Sequence, residues 1–99
     1  MTQDNLNLIY RHHPNIVSRS IAGDMVLVPI RKNIADMESI YTLNGTAARI
    51  WELVDGINTL DTIHNKIYEE FDIQSEEAKT DLLELIDQLV MLAALEKVE

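Results

Sequence analysis

Residues 43–56 read LNGTAARIWELVDG, and their reading decides the fold. Leu43 closes a run of β-forming residues, Ile40-Tyr41-Thr42-Leu43, and the chain then changes period. Ala47, Ile50, Trp51 and Val54 fall at i, i+3, i+4 and i+7, one face of a helix. Asn44 is placed to cap that helix through its side-chain oxygen. Asp55-Gly56 stops it, glycine being free to take the left-handed conformation. The segment holds the chain's single tryptophan and no group suited to catalysis.

Working back from Leu43, residues Glu38–Leu43 read as a third strand. Met25–Ile30 reads as a second, and Pro29, which has no N–H to donate, belongs at its end or on a free edge. Ala22-Gly23-Asp24 marks a turn, and Ile16–Ser20 a first strand. Residues 1–13 show little periodicity and read as a loose tail. Three strands with short links predict an antiparallel meander whose third member keeps one open edge.

Working forward, Thr59 caps a second helix with Leu60, Ile63, Ile67 and Phe71 inward, and Asp72 breaks it. Ser75 caps a third, with Glu76 and Glu77 favouring its positive end. Ala78, Leu82, Leu85, Ile86, Leu89 and Ala93 form its main stripe. Leu95–Val98 reads as a short final strand or a frayed end. The expected fold class is α+β: a three-stranded antiparallel sheet followed by three helices, packed like a winged helix, in one domain spanning residues 1–99.

Composition removes several functions. The chain has 99 residues and no cysteine, so it has neither disulfides nor thiolate metal sites. Its apolar runs are too short to cross a bilayer, and its start lacks the pattern of a signal peptide. The expectation is a cytoplasmic protein without a membrane partner. Residues 1–50 carry five basic against four acidic side chains, whereas residues 51–99 carry three lysines against thirteen acids. The third helix holds Glu76, Glu77, Asp81, Glu84 and Asp87 against Lys79 alone, which repels phosphate and argues against a nucleic-acid partner. His12 and His13 point to opposite sides of an extended segment, and His64 with Asp61 supplies two ligands where a site needs more. All three histidines read as surface residues, with no metal and no cofactor. The glycines are isolated, so there is no phosphate loop. An enzyme is not expected.

Binding of protein or peptide remains. The third strand, Ser39, Ile40, Tyr41, Thr42 and Leu43, has neither the charge nor the proline that blunts an edge. An extended peptide could add there as a further strand. The same edge could instead be covered by the tail or by a second copy of the chain. On the third helix, Leu83 and Val90 flank the core stripe. If that flank faces the third strand, it makes an apolar groove with Lys79 and Asp87 at its rim.

LNGTAARIWELVDG, then INTLDTIHNKIYEEFDI, then DLLELIDQL resembles the PqqD family. The residues that carry the likeness are Leu43, Asn44, Thr46, Ala47, Ala48, Ile50, Trp51, Leu53, Asp55, Gly56, Thr59 and Ile63. RHHPNIVSRSIAGDMVLVP is similar to the family's first hairpin, so the likeness spans about residues 11–98. LVPIRKNIADMESIYTLN and the ending Ala93-Ala94-Leu95, where the family commonly has Gly-Leu, are closer to the broad family than to its pyrroloquinoline quinone branch. The resemblance implies a non-catalytic chaperone of ribosomally made, modified peptides. Such proteins hold the leader of a precursor peptide and present it to a modifying enzyme, often a radical S-adenosylmethionine (SAM) enzyme. The leader adds beside the third strand and packs on the third helix, which carries over here to Ser39–Leu43 and to Lys79, Leu83, Asp87 and Val90. The alternatives are an adaptor or homodimer without a peptide ligand and, less favoured, a DNA-binding winged helix.

Overall fold

The computed structural model describes residues 6–30 and 40–98. A ribbon strand β1 (Tyr10–His12) precedes the sheet strands β2 (Ile16–Ile21), β3 (Asp24–Pro29) and β4 (Tyr41–Leu43). Helices α1 (Gly45–Leu53), α2 (Leu60–Glu70) and α3 (Ser75–Met91) follow, and β5 (Leu95–Lys97) closes the order. The sheet is antiparallel in the order β2-β3-β4. The expected three strands followed by three helices are therefore present.

The hairpin β2–β3 turns on two residues, Ala22 at φ +52° and Gly23 at φ +89°. Two positive φ values match the right-handed twist of the flanking strands. Alternation then sorts the sheet's faces: Ile16, Met25, Leu27 and Leu43 are buried against the helices, while Val17, Arg19 and Ile21 face out. Pro29 sits at the end of β3, where its missing N–H costs least. The expected start of the third strand at Glu38, and Ser39 with it, lies outside the described residues.

The chain enters α1 through Gly45 at φ +55°. The side-chain cap expected of Asn44 does not form; its backbone carbonyl accepts from the N–H groups of Ala47 and Ala48 instead. The stop is sharper than glycine alone would make it. The Asp55 carboxylate accepts from the N–H groups of Ile57 and Asn58, at 2.9 and 2.8 Å, and Asn58 donates its amide to the Leu53 carbonyl. Gly56, at φ +83°, donates its N–H to the Tyr10 carbonyl. Thr59 caps α2 by accepting from the Thr62 N–H. For α3 the cap is Gln74, one residue earlier than expected, and Ser75 is the first helical residue, its carbonyl taken up by His64.

The N-terminal reading needs correction. Tyr10–His12 is a strand, paired antiparallel with β5, and Arg11 and Glu96 form an ion pair at 2.7 Å across it. Leu6 and Leu8 pack on the core, and their carbonyls accept from the N–H groups of Asp61 and Leu60. The signal was a period of two, Leu6-x-Leu8-x-Tyr10, too short to stand out on its own. The partner strand supplies the rest. The α3–β5 link is a tight reversal with Ala93 at φ +60°, a left-handed conformation that a glycine would adopt without strain.

The core gathers Leu27 from the sheet, Ile50, Trp51 and Val54 around α1, Leu60, Ile63 and Ile67 from α2, and Leu82 and Leu89 from α3. Trp51 is the largest of them and is 1% exposed.

Candidate peptide-binding groove

β4 bonds to β3 along one edge, and among the described residues nothing pairs with the other. Alternation places Tyr41 and Leu43 on the helix side and Thr42 outside. Leu43 is 4% exposed, so this residue offers a ligand its backbone and not its side chain. Ile40, just before the strand, is exposed.

The C-terminal part of α3 runs beside this edge. Tyr41, Gln88, Met91 and Leu92 line an apolar concavity of about 250 Å³. A second cavity, of about 240 Å³, continues from Gln88 between α1 and α3 and is walled by Thr46, Ala47, Ile50, Asp81, Glu84 and Leu85. The two share one side chain and make one groove. It begins at the open strand edge and climbs toward the start of α1.

The helix positions expected at the groove, Lys79, Leu83, Asp87 and Val90, do not line either of these two cavities. Measured from Leu82 at about 100° per residue, Leu83 lies on one flank of the buried stripe and Asp81 on the other. β4 and α1 take the flank of Asp81, Gln88 and Leu92. The flank of Leu83 turns away from them: Leu83 is half-buried against the core, and Asp87 acts on the Tyr10 hydroxyl of β1. Burial, and then the Asp87 charge, push that phenol above its ordinary value. Val90 is exposed, and neither it nor Lys79 lines the groove. A stripe has two flanks, and the α3 sequence does not state which one the sheet will take. Gln88, Met91 and Leu92, the helix residues that line the concavity beside Tyr41, were not among those expected there. Their signal was Met91, a large apolar side chain 80% exposed at the helix end.

Among the described residues no three histidine, aspartate or glutamate side chains come together to hold a metal. His13 accepts from the Asn15 N–H, and His64 meets Ser75. His12 is not the surface residue expected. Its ring lies flat on Trp51, with centroids 3.8 Å apart, and its Nε2 donates to the Trp51 carbonyl at 2.8 Å. It thereby clamps the β1–β5 ribbon to the end of α1. Burial lowers its pKa, outweighing the Trp51 carbonyl and the Asp55 charge, which pull it up. Below the ordinary imidazole value of 6.5 the unfolded chain therefore binds a proton that the folded chain resists. Stability is expected to be full above about pH 6.5 and to fall as pH drops through the lower folded value. Asp55 and Glu70, whose pKa values are also lowered, act in the same sense only below their own ordinary range. Urea midpoints measured from pH 7.5 downward should show this slope, and His12→Phe, which keeps a ring on Trp51, should flatten it. An equal slope in the variant would remove His12 as its source.

The fold and groove define a small α+β domain built around an open sheet edge and a helix. The chain belongs to the PqqD family: the model of coenzyme PQQ synthesis protein D matches residues 24–93. No curated protein is close enough in sequence to count as a relative. Two solved structures share the fold. TbiB1, in complex with the TbiA(beta) leader peptide, has a TM-score of 0.74 at 21% identity, over 87% of this chain and 94% of its own. A lasso peptide synthetase B1, complexed with the leader peptide, has a TM-score of 0.74 at 21% identity, over 88% and 96%. Among the described residues no helix is long and apolar enough to cross a membrane.

Proposed function

We propose that this chain binds the leader of a ribosomally made precursor peptide by strand addition at β4 and presents it to a modifying enzyme. The observation that carries the reading is the open β4 edge beside the apolar concavity of Tyr41, Gln88, Met91 and Leu92, in a member of the PqqD family. Both structural neighbours are complexes with leader peptides. Backbone bonds to β4 supply affinity, and side chains entering the concavity supply selectivity. The chain acts by binding, in the cytoplasm, and the partner is an enzyme of the radical SAM class, in pyrroloquinoline quinone synthesis or another modified-peptide pathway. The peptide contacts extend along Ser39–Leu43.

Peptides retained from a lysate of the source cells by the immobilised chain, sequenced by mass spectrometry, test the reading. The expected catch is the N-terminal part of a short precursor. Added back, it should slow hydrogen exchange at Tyr41–Leu43. Protection confined to β1 or α2 would overturn strand addition. A chain that catches no peptide and gains mass with concentration would favour a homodimer closed through the same edge.

A further inference from the structure

We infer that the leader accepted by this groove carries a lysine or arginine a few residues from its apolar anchor, received by Asp81 and Glu84 in the cavity between α1 and α3. The inference rests on the leader-binding reading and adds a requirement on the peptide.

The groove is not uniform. Its lower part, at Tyr41, Met91 and Leu92, is apolar; its upper part, beyond Gln88, has two carboxylates in its wall. Among the described residues neither Asp81 nor Glu84 has an ion-pair or hydrogen-bond partner. Arg49, the basic residue of α1, is not available to them. Its guanidinium holds Glu70 through two bonds of 2.7 and 2.9 Å and Glu52 through a third. Glu70 and Glu52 raise its pKa further. The upper cavity therefore keeps its negative charge, beside the start of α1 into which β4 leads.

The spacing follows from helix and strand geometry. From Gln88 to Glu84 is one helical turn, about 6 Å, and Asp81 lies about 4–5 Å further along the axis. A strand advances about 3.3 Å per residue and presents every second side chain to the groove. For a strand running along α3, a side chain seated over Tyr41 and Met91, about 10 Å from Glu84 and about 15 Å from Asp81 along the helix, has its neighbours over those carboxylates about three to five residues away. A long basic side chain there can lay its stem on Ala47 and Leu85 and its charge on the carboxylates. An acidic or short side chain leaves the carboxylates uncompensated.

The test uses a displayed library of random 12-residue peptides selected on the whole chain. The expected result is enrichment of Lys or Arg at one fixed position, about three to five residues from an aromatic or aliphatic one. Asp81→Asn with Glu84→Gln, both exposed positions, should lose that enrichment and bind a selected peptide about three- to tenfold more weakly. Glu76→Gln with Glu77→Gln removes the same charge from α3 outside this cavity and should keep it. Replacing the peptide's basic residue by alanine should abolish the difference between the wild type and the first variant. Apolar-anchored peptides with no fixed basic position, or equal losses in both variants, would overturn the inference and leave leader binding standing. No enriched peptide at all would overturn both.

Discussion

Trp51→Ala is expected to destabilise the fold by about 3–5 kcal/mol, the range for removing a large buried aromatic side chain. Trp51 is 1% exposed and lies where α1, the ribbon strand β1 and the rest of the core meet. Truncation empties its volume, and it removes the ring on which His12 stacks. The remaining stability of a small domain, of order 5–15 kcal/mol in total, leaves little margin. Urea unfolding followed by circular dichroism measures the loss, since the variant has no tryptophan to report it. Trp51→Phe separates two contributions. It keeps a ring beneath His12 and deletes the indole Nε1–H, which is buried without a partner among the described residues. An orphan donor of this kind costs about 1–3 kcal/mol, so the phenylalanine variant should lose much less than the alanine one. A normal melting curve for Trp51→Ala would mean that the space it fills is not part of the core.

How far the sequence carried this fold depends on the element. The LNGTAARIWELVDG stretch spells out its own structure, because a strand end, a helical face and an Asp-Gly stop follow within fourteen residues. α2 and α3 are legible for the same reason: their apolar stripes are long enough to average out exceptions. β1 and β5 are three residues each, and each is a strand only because the other is there. No local pattern encodes a pair eighty residues apart. The β4 edge was legible from its missing charge and proline, and among the described residues nothing pairs with it. The helix wall of the groove was not. The stripe on α3 states which residues are buried, but the rotation of the helix, which flank turns toward β4 and which brings Asp87 near Tyr10 of β1, depends on tertiary packing that no local pattern carries. Likewise, His12 could not be paired with Trp51 before the ribbon was known to run over the end of α1.

That rotation gives the second large effect, and it is measured at two neighbouring residues. Met91→Lys is expected to weaken leader binding at least tenfold, while Val90→Lys changes it less than twofold. Both side chains are exposed, 80% for Met91 and 41% for Val90, so neither substitution empties the core. A lysine in the last turn of a helix also meets the favourable end of its dipole, so both variants should fold. They add the same charge at successive positions of α3, about 100° apart around the helix. Met91 lines the concavity beside Tyr41, and Val90 faces away from it. Covering a methionine with an apolar ligand side chain contributes about 1.5–3 kcal/mol, which a buried ammonium forfeits and its desolvation makes worse. One such contact corresponds to tenfold or more in affinity. Titration of a labelled leader peptide, with melting curves of both variants alongside, gives the comparison. The reverse pattern, with Val90→Lys impaired and Met91→Lys intact, would move the leader to the Leu83 and Asp87 flank of α3. It would then lie against the β1–β5 ribbon, and the open β4 edge would have another use.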